Sequence, residues 1–128
     1  MEKNMPKVLI VDDEPHIRML IEQTLEELEE EGVEFFSAED GASGLELALA
    51  ERPAVLLLDV MMPKMNGFDV CKALKRAHPL DGVTVIMLTA KGQETDRQRG
   101  EDAGVDHYLT KPFDPDRLLE LVRSELGL

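Results

Sequence analysis

The residues able to do chemistry in this sequence stand at the ends of apolar runs. Val55-Leu56-Leu57-Leu58 leads straight into Asp59, with Val60-Met61-Met62-Pro63 and Asn66-Gly67 just beyond. Val8 to Val11 runs into Asp12-Asp13-Glu14-Pro15, Thr84 to Leu88 ends at Thr89, and His107-Tyr108-Leu109 leads to Lys111-Pro112. Asp12, Asp13 and Asp59 together raise one another's pKa if they share a site, because like charges repel. A hard divalent cation relieves that repulsion, and Mg²⁺ favours one or two carboxylates plus water and a substrate phosphate. Lys111 can pair with Asp59 in the empty site and with a phosphoryl oxygen in the filled one. Thr89 can hydrogen-bond the same oxygen. Singly, each residue has a plainer role as a cap, a turn or a strand residue. The chemistry exists only if four separate segments meet.

The elements needed for that meeting are legible. Short apolar runs bounded by turn signals read as strands buried on both faces, as in parallel sheets. Pro15 suits the first turn of a helix, and Ile17, Leu20, Ile21, Thr24, Leu25 and Leu28 form one helical stripe ending at Gly32. Val33 to Ala38 reads as a second strand. Asp40 caps a helix that turns Ala42, Leu45, Ala48 and Leu49 inward, and Arg52-Pro53 closes it. The Asp59 strand is third. Asn66 caps a helix with Phe68, Val70, Cys71 and Leu74 inward, ending before Pro79, and Thr84 to Thr89 is the fourth strand. The fourth helix, 93–104, has almost no apolar residues and is interrupted by Gly100, so it gains little from packing and is expected to be mobile. The fifth strand follows. Asp114-Pro115 then starts a last helix with Leu118, Val122 and Leu126 on one side.

Strand and helix alternate five times with short connections. That predicts an α/β fold, a (βα)5 flavodoxin-like three-layer sandwich, with right-handed crossovers and parallel strand order 2-1-3-4-5. In such a sheet the C-terminal ends of strands one, three, four and five share the edge where ligands bind. The 128 residues read as one domain with an ordered core over about 7–126 and a loose leader before it; no output domain is expected among them.

Composition narrows the partners. The net charge of −13, from 14 basic against 27 acidic residues, argues against direct nucleic-acid binding, which needs the opposite sign. One cysteine, Cys71, leaves no disulfide framework within the chain and fits a reducing cytoplasm; on its helix it reads as an inert core thiol. No signal peptide or membrane span is visible. Histidines 16, 78 and 107 do not form a metal set by spacing, and the seven methionines read as core filler. Glu29-Glu30-Glu31 reads as a solvated run at a helix end.

The chain resembles the receiver domains of two-component response regulators over essentially its whole length. The resemblance rests on Val-Asp-Asp at 11–13, Leu-Leu-Asp-Val-Met-Met-Pro at 57–63 with Asn66-Gly67, Leu-Thr-Ala at 88–90, Ala-Gly at 103–104 and Tyr-Leu-Thr-Lys-Pro-Phe at 108–113. It implies that Asp59 takes a phosphoryl group from the phosphohistidine of a sensor histidine kinase or phosphotransfer protein. It implies Mg²⁺, with Mn²⁺ as an alternative, held by Asp12, Asp13, Asp59 and the backbone carbonyl of Met61. Lys111 and Thr89 are then the phosphoryl-binding residues, Tyr108 the aromatic switch moving with Thr89, and Lys111–Pro112 a cis peptide. Such a domain catalyses only its own phosphorylation and dephosphorylation. It signals to a downstream effector through the fourth helix, fifth strand and fifth helix. Met61 and Lys91, two positions after Asp59 and Thr89, are expected to govern the attacking water and hence the lifetime of the mark. The fourth helix lacks the apolar residues of many dimerising members, which implies a monomer or weak dimer.

Three other readings share parts of this pattern. A flavodoxin-type FMN binder needs a hydroxyl- and glycine-rich loop where Asp12-Asp13-Glu14 stands. A haloacid-dehalogenase-type phosphatase needs a second Asp where Met61 stands, and more length for its substrates. A receiver-like scaffold working without phosphorylation has no need of the acidic pair, Asp59, Thr89 and Lys111.

Overall fold

The computed structural model describes residues 5–77, 82–90 and 97–128. His78, Lys91 and the beginning of the fourth predicted helix lie outside them. Within them the order is β1 (Lys7–Val11), α1 (Pro15–Thr24), α2 (Glu26–Glu29), β2 (Glu34–Ala38), α3 (Gly41–Glu51), β3 (Val55–Asp59), α4 (Gly67–Ala77), β4 (Thr84–Ala90), α5 (Arg97–Ala103), β5 (His107–Lys111) and α6 (Pro115–Leu126). The strands form one sheet in the order β2-β1-β3-β4-β5, with every neighbouring pair parallel. This is the predicted flavodoxin-like architecture.

Alternation along the strands divides the core in two, because successive side chains leave opposite faces of a strand. Leu9, Val11, Leu56, Leu58, Val85 and Met87 pack with Ala48 of α3, Phe68, Cys71 and Leu74 of α4, and Ala103 of α5. Val8, Ile10, Val55, Leu57, Ile86 and Leu88 pack with Ile21 and Leu25, with Leu28 of α2, and with Leu118 and Val122 of α6. Every residue of β3 is buried. This explains the unbroken apolar run: a central parallel strand has no solvent face.

The first predicted helix is two elements. Leu25 leaves helical geometry at φ −95°, ψ 3°, although its N–H still reaches the Ile21 carbonyl at 3.0 Å and its own carbonyl accepts from Leu28 at 2.9 Å. The turn tightens without turning Leu25 or Leu28 out of the core, so the stripe survives the break. Leu20 is the member that does not belong, since it is exposed. On α3 the buried residues are Gly41, Gly44 and Ala48, not Ala42. Gly44 lies against Val11, where a Cβ would come within 2.8 Å of its side chain, so the smallest residues set that helix's inward face.

The predicted caps form. Asp40 accepts from the Ser43 N–H at 2.7 Å, Asn66 from that of Asp69 at 3.0 Å and Asp114 from that of Asp116 at 2.9 Å. No helix among the described residues is long and apolar enough to cross a membrane.

Candidate functional site

The parallel register delivers the chemistry-bearing residues to one edge. Val11 pairs with Leu58, so Asp12 and Asp59 leave adjacent strands side by side. Asp59 is level with Leu88, one step before Thr89, and Ala90 is level with Lys111. Two carboxylates and a hydroxyl are withdrawn from solvent there: Asp12 is 0% exposed, Asp59 5% and Thr89 3%. Asp13 is exposed at the rim, and so is the Met61 side chain.

Local backbone bonds aim these groups. Asp12 accepts from the Glu14 N–H at 2.9 Å, and its carbonyl accepts from Arg18 Nη1 at 2.6 Å. The Met61 N–H donates to Asp59 Oδ1 at 3.3 Å. Gly67 lets α4 begin against the backbone of Asp59, since a Cβ there would lie 2.4 Å from the Asp59 carbonyl oxygen. The Lys111–Pro112 peptide is cis.

Lys111 reaches into the cluster, but Asp59 is not its closest partner. Its Nζ lies 2.8 Å from Asp12 Oδ2, 3.3 Å from Glu14 Oε1 and 3.4 Å from Asp59 Oδ1. Burial alone lowers an ammonium's pKa, yet Asp12, Asp59 and Glu14 more than reverse that, and Lys111 is raised above its ordinary value. Burial, reinforced by the charge on Asp12 and opposed by Lys111, pushes the Asp59 carboxyl up to about 7. Around neutrality this carboxyl sits between its two protonation states.

Glu14 is the participant that sequence reasoning left out. Its carboxylate joins those of Asp12, Asp13 and Asp59, with one oxygen from each lying within 4.8 Å of the others. One ammonium among four carboxylates leaves the site short of positive charge. Asp12 Oδ2 is fully buried, with the Lys111 ammonium 2.8 Å away. That ammonium is divided among three carboxylates. An all-oxygen donor set this short of positive charge fits a hard divalent cation.

Tyr108, Cys71 and His107 lie apart from this cluster, whereas His16 touches its outer member, Glu14. Tyr108 is half-buried on β5, beside α5. Cys71 is buried and donates to the Ala103 carbonyl at 3.1 Å, and burial pushes its thiol up to about 11, so it is a packing residue. His16 meets Glu14 at the surface, and His107 contacts Glu125.

Comparison with known proteins agrees with this geometry. Residues 8–123 match the response regulator receiver domain family. The chain is 43% identical over 122 residues to the DNA-binding dual master transcriptional regulator RpaA of Synechocystis, covering 95% of this chain and 49% of that protein. It is 45% identical over 122 residues to the transcriptional regulatory protein CpxR of Escherichia coli K12, covering 95% and 50%. The chain thus spans about half the length of these curated relatives. Among solved structures, the REC domain of AraT, a response regulator from Geobacillus stearothermophilus, is similar with a TM-score of 0.86 and 37% identity, over 97% of this chain and 95% of that one.

Proposed function

The chain belongs to the response regulator receiver family of two-component systems, and from that premise we propose that Asp59 is its phosphoacceptor. In this reading an Asp59 carboxylate oxygen attacks the phosphorus of a phosphohistidine on a histidine kinase or phosphotransfer protein. The new O–P bond forms as the P–N bond breaks, and the electron pair returns to the imidazole nitrogen. Lys111 and Thr89 hold the phosphoryl oxygens, and Asp12 and Asp13, with Asp59 and the Met61 carbonyl, hold a Mg²⁺ ion. When bound, the ion neutralises charge on the transferring group and keeps the carboxylates ionised. Water attacking the same phosphorus erases the mark, and Met61, exposed beside Asp59, limits that water's approach.

The observation that carries the reading is the charge imbalance at the sheet edge. Asp59 is buried beside Asp12, and Lys111 is shared among Asp12, Glu14 and Asp59. An arriving phosphoryl group brings Lys111 a new anionic partner, which competes with Asp12 and Glu14 for its ammonium. Tyr108 and Thr89 then convey the change to α5, β5 and α6, and so to an effector. With a net charge of −13, these residues leave any DNA contact to another segment or protein.

Incubation with Mg²⁺ and acetyl phosphate, followed by intact mass, tests this directly. A single transient phosphoryl adduct is expected, absent from Asp59→Asn and from a chelated sample. An adduct surviving in Asp59→Asn means another nucleophile. No adduct on a folded protein favours a phosphorylation-independent scaffold.

A further inference from the structure

Gly100 looks, in sequence, like a flaw in a weak helix. Glycine inside a helix is unfavourable relative to alanine, and no left-handed backbone conformation requires it here. The reason for it is space. A Cβ built on Gly100 would lie 1.4 Å from Tyr108 Oη, 2.7 Å from Tyr108 Cζ and 3.3 Å from Phe68 Cε1. The tip of the tyrosine ring occupies the volume that any side chain at 100 requires.

α5 is also held in place beside that slot. The Arg99 guanidinium stacks 4.8 Å from the centre of the Phe68 ring on α4, and Cys71 Sγ donates to the Ala103 carbonyl at 3.1 Å. Both contacts oppose withdrawal of the helix. On the sheet side, Tyr108 is level with Met87 and Thr110 with Thr89. Since side chains two apart share a face, Tyr108 and Thr89 lie on the same face of adjacent strands. The tyrosine therefore shares a sheet face with a site residue and fills the space at the one position of α5 that has no side chain.

We propose that Gly100 is a positioning residue for signalling: it forms the slot that seats Tyr108, and occupancy of that slot tells α5 the phosphoryl state of Asp59. This rests on Tyr108 being the switch, and adds that residue 100 decides where the switch can stand. A residue with a side chain at 100 expels the ring and separates the output surface from the site, although it touches neither metal nor phosphoryl group.

The sequence supplies its own reporter, since the chain has one tyrosine and no tryptophan. Tyrosine emission and its quenching by acrylamide are measured in wild type and Gly100→Ala, with Mg²⁺ alone and with Mg²⁺ plus beryllofluoride as phosphoryl mimic. Wild-type emission should respond to the mimic. Gly100→Ala should show raised quenching before the mimic is added and lose the response to it. Melting temperatures of Gly100→Ala, Tyr108→Leu and the double variant complete the test. Gly100→Ala should lower the melting temperature in the wild-type background and raise it in Tyr108→Leu, because only the first contains the clash. Equal shifts in both backgrounds, with unchanged quenching, overturn the slot. If Gly100→Ala fails to fold, failure of the double variant to fold also overturns it. Expulsion of the tyrosine by Gly100→Ala, with wild-type emission indifferent to the mimic on a protein that forms the Asp59 adduct, overturns the switch reading while leaving the seat.

Discussion

Two carboxylate clusters in this molecule meet cations in opposite ways. At the C-terminal edge of the sheet, Asp12, Glu14 and Asp59 share Lys111 beside Asp13, partly out of water. At the surface, Arg123 of α6 takes Glu31 through both its terminal nitrogens, at 3.1 and 2.5 Å, and Glu27 at 2.6 Å. Glu31 first, then Glu27, raises the Arg123 pKa further above its ordinary value. In the second cluster both carboxylates accept from one guanidinium, Glu31 in the planar, bidentate geometry that suits it. In the first, one ammonium is divided among three carboxylates. The exposed cluster ties α6 to the end of the α1–α2 unit, whereas the buried one keeps a demand for positive charge that a cation can meet.

Removing Lys111 should separate the two clusters most sharply. Lys111→Met takes away the ammonium that Asp12, Glu14 and Asp59 share. It should slow phosphoryl transfer about 100-fold, as expected for loss of a group that stabilises developing charge. The same variant should bind Mg²⁺ about tenfold more tightly, because a nearby competing charge is gone. Titration calorimetry and adduct kinetics on one preparation check both; equal losses of binding and rate contradict the charge-shortage account.

The pH dependence of the metal-free protein comes next. Asp59 has a folded pKa of about 7 against an ordinary 3.8, so the folded state binds its proton more tightly than the unfolded chain does. Stability must then fall as pH rises from about 4 to about 7 and stay low above that. Asp59→Asn should remove the fall and be more stable than wild type at pH 8 by about 2 kcal/mol, the full shift being discounted for its coupling to Lys111 and Asp12. Mg²⁺ should narrow that difference, and its affinity for wild type should weaken as pH drops through 7, with protons released on binding. Denaturant melts at several pH values and calorimetry in buffers of different ionisation enthalpy read these directly.

Glu14→Gln should have a smaller effect, because Glu14 is half-exposed. A change of about fivefold or less in Mg²⁺ affinity is expected, together with a lower Lys111 pKa followed by NMR. The smallest effect belongs to Arg123→Ala. An exposed ion pair contributes little net free energy, and its loss should shift the melting temperature by a few degrees at most and disappear at high salt. A large, salt-insensitive drop would mean that this surface tie is a structural clamp.

Glu27, Glu31 and Arg123 also mark where sequence reasoning stopped. Glu29-Glu30-Glu31 reads as a solvated run at a helix end, where the macrodipole favours cations. The cation that Glu31 and Glu27 meet comes from a segment more than 90 positions away, and no local pattern announces it. The case of Glu14 is similar. In sequence it stands at a helix start, and only the approach of Lys111, 97 positions on, brings it into the site. Gly100 was legible as an irregularity but not as a slot, because the atoms that fill its missing side chain belong to Tyr108.

By itself, the sequence determined the two-sided burial of the strands, the βα alternation and a parallel sheet with Asp12, Asp59, Thr89 and Lys111 at its C-terminal edge, the order 2-1-3-4-5 being that of the flavodoxin-like class. These follow from periodicity, caps and right-handed crossovers, all local or topological properties of the chain. Only the tertiary structure decided that Lys111 lies nearest Asp12, that Glu14 completes the acidic set, that Arg123 is spent on a surface tie, and that Tyr108 lies where Gly100 has no side chain. Those are questions of which groups come within 3 or 4 Å of each other across distant segments. At that range a shift of one ångström changes the partner, and hydrophobic patterning, which sets faces and not contacts, carries no such precision.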